Sequence, residues 1–377
     1  MNRSLPSLVT LLVAAAFALV TPADAARPVL TQDAKLTVSD AAVFDNFGWS
    51  VALDGGVAVV GAPGDDDNGT RSGSAYVYDT ATGQELAKLT ASDGAAGDWF
   101  GYSVAVDGGV AVVGAFFDDD NGTRSGSAYV YDTATGQELA KLTASDAAES
   151  DQFGFSVALD GGVAVVGAWG DRDNGSESGS AYVYDAATGQ ELAKLTASDG
   201  AAGDWFGFSV ALDGGVAVVG AVLHDDNNFN SGSAYLFDTA TGQELAKLTA
   251  SDGAANDQFG WSVAIDGNLA LVGAHRDDDN GPNSGSAYLF DVTTGEQLAK
   301  LVAGDGALGD VFGHSVALDG GLAIVGAYRD DNGSGSAYVF DVSAFLIPEP
   351  TGATLAAAAL LAATSASARS RTSQRPA

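Results

Sequence analysis

Acidic residues recur in short runs along this chain: Asp65-Asp66-Asp67, Asp118-Asp119-Asp120, Asp171 with Asp173, Asp225-Asp226, Asp277-Asp278-Asp279 and Asp330-Asp331. Each run is followed by Asn. Carboxylate and carbonyl oxygens offered at alternating positions of such a segment suit a hard divalent cation, so these aspartates are candidate calcium ligands, with an affinity of roughly 10⁻⁴ to 10⁻³ M as in extracellular modules. A crossing pair such as Asp93 and Asp98 would approach from the neighbouring segment. Asp, Asn and Gly also form tight turns and tolerate left-handed backbone, which is the competing reason for their presence. The spacing fits no EF-hand loop.

Aromatic residues sit beside the acids. Phe116, Phe117, Trp169, His275 and Tyr328 directly precede acidic runs, and Trp99 and Trp205 precede Phe-Gly pairs. Rings next to carboxylates suit stacking on sugars or gripping cationic patches, which makes these seven candidate ligand-binding residues; filling gaps between packed units is the alternative.

Catalytic arrangements are not evident. The three histidines, His224, His275 and His314, fall in three different repeats, and no serine or cysteine is partnered with one in a recognisable nucleophile and base pattern. The acids recur in every repeat, so no carboxylate pair stands out as the acid and base of a glycosidase. The expectation is a binding module with no catalytic residues. A polysaccharide-cleaving enzyme and a structural spacer of the cell envelope are the alternatives.

Composition narrows the partners. The chain has 377 residues, 49 acidic against 16 basic side chains, a formal charge of −33 and no cysteine. Such a polyanion repels nucleic acid and anionic membranes. Without thiols, stability must come from packing, strand ladders and ion pairs.

The elements that carry these residues follow from a repeat. Phe-Gly recurs at Phe47, Phe100, Phe153, Phe206, Phe259 and Phe312, always 53 residues apart. Each copy predicts four short strands, in the first copy 49–53, 57–62, 74–78 and 85–91, rich in Val, Tyr and Leu and separated by Gly and Asp turns. Four antiparallel strands per unit of about 50 residues make a propeller blade. The fold expected is all-β: a six-bladed β-propeller of four-stranded antiparallel blades.

The sixth copy ends after its third strand, while Ala34 to Asp40 matches Ala87 to Asp93. The N-terminal strand is therefore expected to complete the last blade and close the ring, removing exposed edges. Lys88 and its copies are expected on the outermost strand, where charge discourages aggregation. The residues after Phe-Gly, Trp49, Tyr102, Phe155, Phe208, Trp261 and His314, are expected in the core. In an up-and-down blade the 2–3 loops and the crossing loops share one end, which gathers 29 acids against five arginines there.

Phe47-Gly48, then Gly61-Ala62-Pro63, then Ser-Gly-Ser-Ala-Tyr, resembles the FG-GAP repeat of integrin α-subunit propellers and many bacterial surface proteins. The resemblance implies a propeller displayed outside the cell. The family's calcium loop lies between the first and second strands, and here that connection has shrunk to Asp54-Gly55-Gly56, so those ligands do not carry over.

The ends carry sorting patterns. Residues 1–25 have the basic, apolar and small-residue regions of a signal peptide. Residues 26–345 form the propeller region. In 346–377, Pro348-Glu349-Pro350, an Ala/Leu stretch and a basic end resemble the PEP-CTERM sorting signal. That resemblance implies an exosortase-type enzyme as a partner, transient membrane retention and a place at the cell surface or in the extracellular matrix. The partners expected are thus a glycan, an exopolysaccharide or a surface protein, and the chain is expected to be a monomer.

Overall fold

The computed structural model describes residues 35–346, apart from Asn227. The signal-peptide segment and Pro348, Glu349 and Pro350 lie outside the described residues.

The first blade consists of β1 (Val51–Asp54), β2 (Val57–Ala62), β3 (Ser74–Asp79) and β4 (Gln84–Leu89), paired in chain order and antiparallel throughout. Its β1–β2 turn is the pair Gly55-Gly56, both at positive φ (53° and 85°), the backbone that a two-residue hairpin requires. β2 is buried along nearly its whole length, because both of its faces meet protein. An uninterrupted Val-Ala-Val-Val-Gly-Ala run suits that place better than an alternating one.

Five blades have this four-stranded form, and the sixth has three strands, Ser315–Asp319, Leu322–Ala327 and Ser336–Asp341. The molecule is an all-β, six-bladed β-propeller.

Neighbouring blades bind through repeated devices. Val59 and Val77 of blade one pack with Ala111, Val113, Tyr129 and Tyr131 of blade two, around a fully buried Phe100. The Phe100 ring meets both tyrosines edge-on at 5.5 and 5.9 Å. Ser50 Oγ donates to the Gly101 carbonyl at 2.8 Å, and a Cβ added at Gly61 would stand 1.9 Å from that same oxygen, so only glycine permits the approach. At the hairpin tips Gly108 N–H donates to the Asp54 carboxylate at 2.9 Å, a tie repeated by Asp107, Asp160, Asp213 and Asp266.

The expected closure is met in one half and corrected in the other. Leu36 and Val38 pack on Ala58, Val60, Tyr76 and Tyr78, and Tyr78 Oη donates to the Thr37 carbonyl, as Tyr131 Oη donates to Thr90. The segment thus covers blade one as a preceding blade's last strand would. Among the described residues it forms no ladder with Ser336–Asp341, and the sixth sheet stays three-stranded. Ile324 and Val339 are 46% and 48% exposed, where their counterparts Val59 and Val77 are fully buried. The physical reason lies in the last acidic loop. It has a single-turn helix, Asp330–Gly333, and is three residues shorter than the loop of blade one, in which the Arg71 and Ser72 carbonyls accept the N–H groups of Trp99 and Phe100 from the next blade.

Candidate functional site

Two loops of adjacent blades meet at one end of the propeller. Gly97, Trp99 and Phe100 of the crossing segment donate N–H groups to the carbonyls of Thr70, Arg71 and Ser72 in the acidic loop. The two sets of acids therefore share one rim, as the up-and-down topology requires.

Most of the candidate metal ligands are spent on the loops themselves. Asp66 accepts the Arg71 N–H at 2.7 Å, Asp119 accepts that of Arg124 at 2.6 Å, and Asp225 and Asp278 accept those of Asn230 and Asn283 at 2.7 Å. One oxygen each of Asp65, Asp118, Asp171 and Asp277 accepts the N–H two residues on.

The remaining oxygens converge on a lysine. Lys88 Nζ lies 2.6 Å from Asp40, 3.0 Å from Asp65 and 2.5 Å from Asp67, and 5.2 Å from the centre of the Tyr76 ring. Tyr76 Oη donates to Asp65 at 2.9 Å and sits 3.0 Å from Asp40. Lys141 repeats the cluster with Asp93, Asp118 and Asp120, Lys194 with Asp146, Asp171 and Asp173, and Lys300 with Asp252, Asp277 and Asp279. These lysines do not guard an outer edge. Their side chains are about one-fifth exposed, and they reach back from the fourth strand to brace the acidic loop.

Carboxylate groups able to hold a metal ion do exist here: the ligand oxygens of Asp40, Asp65 and Asp67, and of two of the copies, lie within 4.8 Å of one another. The donor set fits a cation, and the cation it surrounds is an ammonium. In blade six Asp305 and Asp330 share the Tyr338 hydroxyl at 2.9 and 2.7 Å, but among the described residues no lysine joins them. Asp331 stands exposed beside them.

Electrostatics separate two kinds of carboxyl. The hydrogen bond from the Lys88 ammonium holds Asp40 below the usual carboxylate range. Burial works to raise Asp93, Asp146 and Asp252, yet their lysine and tyrosine donors outweigh it and the net shift is downward. Asp98, Asp151 and Asp257 have no such partner. Burial pushes each up to about 6, against a single backbone N–H.

Inside the acidic ring lies an aromatic collar. Trp49, Tyr102, Phe155, Phe208, Trp261 and His314 follow one another around the central channel at ring separations of 4.7–5.5 Å. They line the channel and are not core residues: Trp49 is 54% exposed and the other five are half-buried. The first strand of each blade is the innermost, so a large side chain at or just before its start projects into the channel mouth. The cavity there measures about 340 Å³.

All seven candidate ligand-binding residues lie against this collar or its rim. Trp99 meets Phe116 and Phe117 edge-on at 5.8 and 5.5 Å, and Trp169 lies 4.6 Å from Trp205. His275 packs on Trp261 at 4.2 Å, and Tyr328 on His314 at 4.6 Å. Two of the seven are closed off: Phe116 and His275 are buried and fill gaps between blades. Burial, with His314 and two nearby arginines, lowers His275 to about 3, so it is neutral at ordinary pH. Trp99, Phe117, Trp169, Trp205 and Tyr328 keep accessible surface.

Arginines complete the mouth. Arg71 stands 5.7 Å from the Trp99 ring centre, Arg124 4.8 Å from that of Phe117, and Arg329 5.2 Å from that of Tyr328. Depressions open on both sides of Trp99. One, of about 120 Å³, is lined by Asn46, Trp49, Pro63 and Arg71, and the other by Phe117, Asp119 and Arg124.

A family model for the FG-GAP repeat matches residues 30–78, 84–131, 137–184, 190–237, 243–290 and 296–340. The chain belongs to the FG-GAP repeat family. Each matched segment after the first runs from the last strand of one blade through the first three strands of the next. No curated protein matches this FG-GAP chain. Among solved structures, a crystal structure of the computationally designed Ika8 protein is similar over 77% of this chain and 70% of that one, at 20% identity and a TM-score of 0.47.

Among the described residues, no helix of this FG-GAP protein is long and apolar enough to cross a membrane. The residue that sequence reasoning missed is His224. It stands in blade four where the other blades have Asp65, Asp118, Asp171, Asp277 and Asp330, and aligning the copies on Phe-Gly reveals it.

Proposed function

We propose that this FG-GAP propeller is a non-catalytic, exported binding module that takes a neutral or amino-bearing glycan at the aromatic mouth of its central channel. The observation that carries the reading is the patch around Trp99, where accessible rings and two arginines flank depressions of sugar size within an acidic surround. Flat rings stack on the apolar faces of sugars, and guanidinium groups donate to their hydroxyls. The surrounding carboxylates favour an amino sugar and disfavour an acidic polysaccharide.

Export and surface sorting rest on the patterns of residues 1–25 and 346–377. Mass spectrometry of the protein recovered from its native host tests both: chains cut near residue 25 and near the Pro348 motif support sorting, and an intact chain refutes it.

Calcium has a small place in this reading. At Asp40, Asp65, Asp67 and the copies with a lysine and three aspartates, calcium must displace an ammonium held by three carboxylates. Glycan binding is therefore expected to persist in a chelator. A glycan array probed with the wild type and with Trp99→Ala and Trp205→Ala tests the central claim. Binding that fails in both variants supports it, while binding that survives in both, or turnover of a polysaccharide, refutes it.

A further inference from the structure

Blade four breaks the lysine cluster in a specific way. His224 replaces the buried aspartate, and its side chain is more than nine-tenths buried with neither ring nitrogen in a hydrogen bond. The imidazole nonetheless faces carboxylates on both sides. Nε2 lies 3.7 Å from Asp199 Oδ1 and 3.6 Å from Asp204 Oδ2, and Nδ1 lies 3.5 Å from Asp226 Oδ1. Lys247 still contacts Asp199, at 2.5 Å, and Asp226. Tyr235 Oη, which in the other clusters bridges two aspartates, here donates only to Asp199.

A buried imidazole left without a partner is costly, so an unsatisfied one facing acids asks for a ligand. With one ligand atom from each residue, Asp199, His224 and Asp226 lie within 4.8 Å of one another. Two ligand atoms bound at about 2.0 to 2.1 Å around a tetrahedral zinc ion stand about 3.4 Å apart. Nε2 faces Asp199 and Nδ1 faces Asp226, so the one nitrogen that binds keeps its near carboxylate almost in place while the other carboxylate closes in by about an ångström.

We infer that Asp199, His224 and Asp226 form a binding site for one divalent transition-metal ion of the zinc type, which displaces the Lys247 ammonium. Imidazole nitrogen suits zinc, whereas calcium takes oxygen. The oxygen-only clusters of the other blades lack this nitrogen ligand. A double charge among Asp199, Asp204 and Asp226 also neutralises more than lysine does, and lysine can swing to solvent on its flexible stem.

Calorimetric titration of the full chain with zinc, in excess calcium to occupy weak oxygen sites, tests the inference. The wild type is expected to take up one tightly bound zinc. His224→Asp installs the aspartate of the other five blades and so preserves the fold. In it the affinity should fall at least about tenfold, with the metal-free Tm within a few degrees of wild type. Cobalt should develop its visible absorption bands only when His224 is present. Lys247→Met, which removes the competing ammonium, should tighten zinc. A wild type without stoichiometric zinc binding, or a His224→Asp variant that binds as tightly as wild type, overturns the site.

Discussion

The acidic rim and the aromatic mouth are built on the same blades, yet they vary in opposite ways. On the rim the lysine, tyrosine and three aspartates recur nearly unchanged at Lys88, Lys141, Lys194 and Lys300. At the mouth, the residue packed against the collar is Pro63, Phe116, Trp169, Val222, His275 or Tyr328, according to the blade. Constancy marks groups that each blade needs in order to seat on its neighbour. Variation marks surface that is free to take on a ligand. The acids that brace the loops are thus structural, and the proposed recognition falls to a minority of rings and arginines.

The largest expected effect comes from breaking the rim. Lys141→Met leaves Asp118, almost fully buried, with its neighbouring carboxylates and no cation, and should cost about 3 kcal/mol in a denaturant or thermal melt. The same change at Lys88 should cost less, because Asp40 belongs to a segment that is part of no sheet among the described residues. Equal losses at a surface-like 0.5 kcal/mol would mean the lysines are solvated ornaments.

The second effect separates the two regions by ligand binding. Trp99→Ala should weaken glycan binding about tenfold, or about 1.4 kcal/mol, with little change in Tm. A loss of stability matching the Lys141 variant would instead make Trp99 part of the scaffold.

The smallest effect is a pH dependence confined to the rim. Asp98, Asp151 and Asp257 have folded values raised to about 6. The folded protein therefore holds these protons more tightly than the unfolded chain. Their contribution is present below the ordinary carboxyl range and is lost as pH rises through about 6. The lowered carboxyls, Asp40, Asp93, Asp146 and Asp252, have the opposite sign: their contribution is present above the ordinary range and is lost as pH falls through and below it. Between pH 4.5 and 7 the raised group governs, so Tm should fall with rising pH. Asp151→Asn keeps an acceptor for the Ala148 N–H and removes the charge, and should recover about 1 kcal/mol of that decline.

The blades were legible because their signals are local. Phe-Gly spacing, the Gly-Gly hairpins and the apolar β2 run each specify structure within a few residues. The lysine clusters were not, because Lys88 and Asp65 are 23 residues apart, and the Asp40 carboxylate comes from the segment before the blade. Only the geometry of strand, loop and crossing segment brings them together. The collar was misplaced for a related reason: an aromatic residue opening a strand reads as core until the strand is known to be the innermost of its blade. The closing pair failed at one loop. The repeat places a fourth-strand sequence at the N-terminus, but among the described residues it pairs with no strand, and the shortened Tyr328 to Gly335 connection lacks the bonds that seat the other blades on the next.

The most direct test of the division between scaffold and mouth is glycan binding measured by calorimetry on the wild type and on the double variant Trp99→Ala, Trp205→Ala, each with and without EDTA. The account expects binding by the wild type in both buffers and by the double variant in neither, with both proteins melting at similar temperatures. Binding retained by the double variant but abolished by EDTA would contradict it, returning recognition to the acidic loops.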